Sequence, residues 1–206
     1  MPSKTEGNCD IGRCFGGPAS PCLSIRPAGD PALSASLIDV QAPLSQGREV
    51  HLPARDAYFL MIYLAPATHA DILPDGTRLP PRVFPAQTIC LVDLKEGASI
   101  LLQTGLRAIA VVCPRALLKI AAGLSERGGA RLTCLRGKED PVIGHLADAL
   151  LPLFGQADGE APLLRHIAMA LCAHLVHTYG LPDDAPELVE CSGCMRPDCS
   201  CGGARQ

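Results

Sequence analysis

The hydrophobic pattern of this chain changes period once, near Pro114, and that change divides it into a β part and a helical part. Before it, apolar residues come in short runs cut by Gly and Pro. The strongest run is Asp56-Ala57-Tyr58-Phe59-Leu60-Met61-Ile62-Tyr63-Leu64, dense in the aromatic and branched side chains that suit a pleated surface. Residues 70–73 and 77–79 flank Pro74-Asp75-Gly76, a turn whose glycine supplies the positive φ a hairpin needs. Residues 87–93, 99–103 and 107–112 read as further strands. Many short strands separated by turn residues predict a sandwich or a barrel.

Past Pro114 the apolar spacing becomes helical. Pro114 sits where a first helical residue should, and residues 116–124 continue as a short helix ended by Gly128-Gly129. Asp140-Pro141 is a cap followed by proline at the first helical position, so a second helix starts there. Val142, Leu146, Ala149, Leu150 and Leu153 form its expected apolar stripe, and Pro152 and Gly155 close it. A third helix is expected from Pro162 to Tyr179, with Leu164, Ile167, Ala168, Leu171 and Leu175 as its buried stripe and Gly180 as its stop. The short link between the last two helices predicts an antiparallel pair, and the whole reads as α+β.

The flanks differ from this body. Residues 1–35 are dense in Gly, Pro and Ser, and Cys9, Cys14 and Cys22 lie in no periodic pattern, so a flexible N-terminal arm is expected there. Residues 181–206 lack helical periodicity and form an acidic, Cys-rich tail. Lys and Arg number 18 against 21 Asp and Glu, a net charge of −3. Residues 181–206 carry that whole excess, with Asp183, Asp184, Glu187, Glu190 and Asp198 against Arg196 and Arg205. Bulk electrostatics therefore does not steer the chain towards nucleic acid. The most apolar stretches, 108–113 and 167–176, are far shorter than a membrane span. The N-terminus has no apolar core of a secretory signal, so a cytoplasmic location is expected. The 11 cysteines are then read as reduced thiols or metal ligands before disulfides.

The order of strands, short helix and helix pair resembles the N-terminal sensor and dimerisation domain of AraC/XylS-type transcription regulators. Four stretches carry the resemblance: Asp56-Ala57-Tyr58 with its strand; Leu73-Pro74-Asp75-Gly76-Thr77-Arg78; Cys113-Pro114-Arg115-Ala116-Leu117-Leu118; and Asp140-Pro141-Val142-Ile143-Gly144-His145-Leu146 running into Ala149-Leu150-Leu151-Pro152. The later Ile167-Ala168-Met169-Ala170-Leu171-Cys172-Ala173-His174-Leu175 through Tyr179-Gly180 fits as well. The match covers roughly residues 36–180. It implies a cupin-like β-barrel (a double-stranded β-helix) followed by an antiparallel helix pair. The barrel would house a small effector. The helices would pair two subunits, as a homodimer or as a heterodimer with a full-length relative. In that family a DNA-reading domain of two helix-turn-helix units follows. Only 26 residues follow Gly180 in this 206-residue sequence, so direct DNA binding by this chain is not expected.

Chemistry-bearing residues are sparse. Cys191, Cys194, Cys199 and Cys201 form C-x2-C-x4-C-x-C, and four nearby thiolates could hold zinc tetrahedrally. Cys191 and Cys194 have knuckle spacing; Cys199 and Cys201 are awkwardly close for two bonds to one ion. Zinc at these cysteines is the only cofactor the sequence suggests, and a metal- or redox-responsive tail is the alternative function. His51 and His69 lie alone, and no H-x-H occurs in the β region, so no barrel metal centre is expected. His174 and His177 share a helix face, read as solvated or at an interface; His145 is read as capping or packing, and Cys113 as a small core residue. Asp56 and Asp93 border strands with no partner carboxylate. No phosphate-cradling loop or nucleophile elbow occurs, so no enzyme is expected. If the tail holds zinc, the purified chain carries a bound equivalent that Cys194→Ser loses; equal, near-zero zinc in both proteins ends that idea.

Overall fold

The computed structural model describes residues 11–16, 20–41, 46–123, 130–155 and 162–182. It opens with one helical turn, α1 (Ile11–Cys14), followed by β1 (Cys22–Ile25), β2 (Leu33–Val40), β3 (Arg48–Leu52), β4 (Ala57–Tyr63), β5 (Ala67–Ile72), β6 (Arg82–Phe84), β7 (Thr88–Asp93), β8 (Ala98–Leu102) and β9 (Leu106–Pro114). The helical part comprises α2 (Arg115–Gly123), β10 (Arg131–Leu132), β11 (Leu135–Glu139), α3 (Pro141–Leu150), α4 (Pro162–Tyr179) and β12 (Gly180–Leu181). Six strands form one sheet in the order β1-β2-β9-β4-β7-β11, and four form a second in the order β3-β8-β5-β6. The strand pairs within both are antiparallel.

The long apolar run of β4 has a direct cause. All seven of its residues are buried, because the six-stranded sheet is covered on both faces. Phe59, Met61 and Tyr63 point into the space between the sheets, with Val50, Leu52 and Leu102 of the four-stranded sheet. Tyr58, Leu60 and Ile62 point the other way, onto Leu117, Leu118, Ile143, Ala147, Leu171 and Leu175 of the helices. A strand alternates its side chains between faces, so one apolar sequence serves two cores.

The helices are tied down by polar contacts at their ends. Asp140 caps α3 by accepting from the Ile143 amide at 3.0 Å, with Pro141 at the first helical position, as its sequence predicts. The same carboxylate accepts from the Tyr179 hydroxyl at 2.5 Å and lies 2.8 Å from His174 Nε2. The start of α3 is thereby fastened to the end of α4. The Asp140 carboxyl lies below its usual range: burial opposes this, but the Tyr179 hydroxyl, the Ile143 amide and His174 outweigh it. Next to this junction β10 pairs with β12, Leu132 opposite Gly180.

Several sequence expectations need correction. The segment 1–35 is not simply an arm: its described part supplies α1, β1 and the start of β2, with Ile11, Phe15, Leu23, Ile25 and Leu33 at most 3% exposed. Its strand signal was hidden by Ser34 and Ser36, which are buried within β2 where apolar residues would normally mark a strand. On α3 Leu150 is buried as expected, and Leu146 and, just past the helix, Leu153 are half-buried against the core, but the other fully buried residues are Ile143 and Ala147, and Val142 is 48% exposed. Apolar residues populate both faces there, so periodicity alone did not single out the buried set. Pro114 ends β9 and α2 starts at Arg115. His145 is exposed on α3 rather than packed. Cys22 is disulfide-bonded, against the reduced-thiol expectation for it, because spacing along a chain does not tell which segments meet. No helix among the described residues is long and apolar enough to cross a membrane.

The packed N-terminal segment makes a checkable difference. Phe15 is 1% exposed against the inter-sheet core, so Phe15→Ala should lower unfolding free energy by about 3 kcal/mol. Denaturant titration of the two proteins measures it; an unchanged midpoint would restore the flexible-arm reading.

Candidate functional site

Between the two sheets lies an open cavity of about 1060 Å³. Its walls are mostly apolar, with Val50, Leu52, Met61, Phe84, Val92 and Ile100 among them. Polar side chains also line it, Arg82, Asp93, Lys95, Glu96 and Arg131 among them, and five of the polar ones are linked to one another: Tyr63, His69, Asp71, Cys90 and Arg136. An apolar cleft with a few convergent polar groups is the usual form of a small-molecule site.

The sheet positions each member. Tyr63 ends β4 on its inward face, and Met61, two residues earlier, pairs with Cys90 of β7. His69 and Asp71 are two apart on β5 and so share a face. Arg136 reaches the cavity through a bulge: the register of β11 against β7 shifts between Arg136 and Lys138, and Gly137 between them has φ 68°. A Cβ at Gly137 would lie 3.2 Å from the Phe84 ring, so both backbone and space require glycine there.

The polar groups are joined in a chain. Tyr63 Oη lies 2.6 Å from His69 Nε2 and 3.4 Å from Cys90 Sγ. Arg136 donates from Nε to Asp71 at 2.9 Å and from a terminal nitrogen to the Leu91 and Leu135 carbonyls at 3.3 and 3.1 Å. The guanidinium charge is thus matched by a carboxylate at the site. The rings of His69 and Phe84 stack with centroids 4.0 Å apart, and Tyr63 stacks on Phe84 at 5.1 Å. One atom is left over: His69 Nδ1 is buried without a hydrogen-bond partner, and Asp71 Oδ1 stands 4.0 Å from it.

Burial sets the protonation of these groups. It lowers the His69 pKa to about 4, with Arg136 and Arg82 adding to the effect and Asp71 opposing it, so the ring is neutral near pH 7. Burial raises Tyr63 far above its ordinary value and raises the Cys90 thiol too, so both stay protonated. Arg136 and Asp71 form the charged pair; the other three are neutral hydrogen-bonding groups.

A second polar cluster sits at the cavity rim. Arg115, the first residue of α2, donates to the Tyr58 hydroxyl at 2.9 Å, pairs with Asp56 at 3.1 Å and also pairs with Asp93. The Leu132 amide donates to the same Tyr58 hydroxyl at 3.0 Å. Tyr58 and Asp93 line the cavity, so this cluster connects it to α2 and, through β10 and β12, to the end of α4.

The residues singled out in the sequence are scattered. Cys191, Cys194, Cys199 and Cys201 lie outside the described residues. His69 is at the cavity floor, whereas His51 is exposed and 2.7 Å from Ser99 Oγ. Asp56 and Asp93 share the Arg115 guanidinium rather than forming an acid–base pair. His174 is engaged with Asp140, while His166 and His177 are exposed. Cys113 is fully buried beside Cys172, as expected of a small core residue. Among the described residues no three His, Cys, Asp or Glu side chains are grouped to hold a metal. Tyr63, Asp71, Cys90 and Arg136 were missed. His69-x-Asp71 was a readable strand signal; Arg136 was not, since it depends on a bulge.

No protein-family model matches the chain, and no curated protein does. Among solved structures it is similar to an apo form of ToxT from Vibrio cholerae, with TM-score 0.45 and 10% identity over 68% of this chain and 54% of that one. It is similar to the AraC-like transcriptional activator CuxR, with TM-score 0.40 and 16% identity over 75% of this chain and 59% of that one. A Cupin 2 conserved barrel domain protein from Salinispora arenicola gives TM-score 0.33 and 17% identity, over 50% and 82% of the two chains. The chain thus spans about half the length of the ToxT chain and more than half of CuxR.

The neutral, buried His69 predicts a pH effect. Its native pKa of about 4 is below the ordinary 6.5, so on acidification the unfolded chain takes up this proton first. Stability contributed by the neutral ring is present above pH 6.5 and is lost as pH falls towards 4. At pH 5 the loss is on the order of 2 kcal/mol. Denaturant midpoints at pH 7 and pH 5 should therefore fall further for wild type than for His69→Phe; parallel falls would contradict the assignment.

Proposed function

We propose that this chain is a non-enzymatic sensor and dimerisation module of AraC/XylS regulator type, which binds a small effector between its two sheets. The cavity carries this reading: a largely apolar space of about 1060 Å³ in which Tyr63, His69, Asp71, Cys90 and Arg136 are linked, with a second polar cluster at its rim. The strand order supports it. β2-β9-β4-β7 facing β3-β8-β5-β6 is the jelly-roll order, the double-stranded β-helix on which cupins are built. The AraC/XylS assignment rests on the sequence stretches named above, three of which fall on β4, on the β9–α2 junction and on the capped start of α3.

Binding in the cavity can reach the helices by a short route. Tyr58 and Asp93 lie at the cavity rim and hold Arg115 at the head of α2, and Tyr58 also holds β10, which pairs with the strand after α4. Val142 of α3 and Leu163 of α4 are 48% and 57% exposed, apolar side chains that self-association would cover. Zinc held by Cys191, Cys194, Cys199 and Cys201 remains a separate proposal for the tail.

Two measurements test the proposal. Sedimentation at tens of micromolar should give a dimer; a monomer there removes the dimerisation part. The uncharged apolar dye N-phenyl-1-naphthylamine should bind the folded chain at a saturable site. Val92→Trp, which fills the cavity, should weaken that binding by about tenfold or more. Equal dye binding by wild type and variant would place the dye elsewhere and remove the cavity's role.

A further inference from the structure

The cavity contains one buried polar atom with no partner, His69 Nδ1, in a residue only 3% exposed. Which hydrogen it carries follows from its neighbours. The neutral ring has one N–H and one bare nitrogen. The Asp71 carboxylate, 4.0 Å from Nδ1, favours the hydrogen on that nitrogen, and Tyr63 Oη then donates to the bare Nε2 at 2.6 Å. Nε2 is then the acceptor, and Nδ1 bears the hydrogen. That N–H faces Asp71 Oδ1 across 4.0 Å, too far for a direct hydrogen bond. The carboxylate is meanwhile held from its other oxygen by Arg136 at 2.9 Å.

A donor and an acceptor separated in this way fit one kind of group between them. An oxygen about 2.8 Å from each closes the gap, and it must accept from Nδ1–H and donate to Asp71. A hydroxyl does both. A carboxylate or phosphate oxygen can only accept, and would sit against the Asp71 charge while Arg136 is already paired. A hydrocarbon would bury the N–H unsatisfied, at a cost comparable to a lost hydrogen bond. The apolar walls, with the flat Phe84, Tyr63 and His69 rings, suit the rest of such a molecule.

We propose that the effector class of this cavity is an organic molecule with an apolar body and a hydroxyl group, which bridges His69 Nδ1 and Asp71 Oδ1. This rests on the reading of the cavity as a ligand site and specifies what that site selects.

The test uses three probes of one shape on the full chain by titration calorimetry: 4-propylphenol, propylbenzene and 4-propylbenzoate. The phenol should bind wild type about tenfold or more tightly than either of the others, since one well-placed hydrogen bond in a dry site is of that size. In His69→Phe, which keeps a ring on Phe84, the phenol should fall to parity with propylbenzene. In parallel, the ¹⁵N resonance of His69 Nδ1 in wild type should move with phenol and not with propylbenzene; this reading stands even if the variant fails to fold. Propylbenzene or the benzoate binding wild type as tightly as the phenol overturns the hydroxyl selection and leaves the ligand site in place. A phenol preference that survives in His69→Phe overturns the role of His69. If no probe binds and no cavity resonance moves, both this inference and the ligand-site reading fall.

Discussion

The central strand β4 must be apolar on both sides, and the rest of the molecule is arranged around that requirement. A seven-residue strand with every residue buried cannot stand at the surface of a simple sandwich. It needs a second sheet on one face and helices on the other. Each fully covered Leu, Ile or Phe contributes roughly 1.5–3 kcal/mol, so leaving either face open would forfeit several such terms. The four-stranded sheet and the helices α2, α3 and α4 supply those covers.

The two covers differ in completeness, and that difference creates the site. The helical side closes with Leu60, Ile62, Ile109 and Val111 packed among helix residues that are almost wholly buried. The inter-sheet side stays open at the cavity, and there the sheets place polar residues in an otherwise apolar interior. Buried polar groups persist when they satisfy one another. Arg136 with Asp71, and Tyr63 with His69 and Cys90, follow that rule; His69 Nδ1 is the exception. Tyr58 belongs to both worlds, since its ring packs on the helical side and its hydroxyl gathers Arg115 and the Leu132 amide beside the cavity.

Local signals in the chain located much of the architecture. Asp140-Pro141 marked the start of α3 because a cap and an N1 proline act through neighbouring atoms. Pro74-Asp75-Gly76 marked a turn because Gly76 takes φ 84° there. The stripe of α4 was readable because its spacing repeats along an 18-residue helix, whereas α3 misled by carrying Val142 outward next to Ile143 inward. Residues 20–35 hid a strand and a half because β1 is only four residues long and Ser34 takes a buried position of β2. Within the site, His69 and Asp71 could be paired from their spacing on one strand. Arg136 and Cys90 could not.

By itself the sequence determined that a strand runs through Tyr58 to Tyr63 and where α3 and α4 begin. Those properties depend on residues within a few positions of each other. Tertiary structure alone decided that a bulge at Gly137 turns Arg136 onto Asp71, 65 residues away, and that His69 meets Tyr63 and the Phe84 ring while one of its nitrogens goes unpaired. Such encounters depend on strand register and on which sheet each strand joins, and neither is encoded in any short stretch of chain.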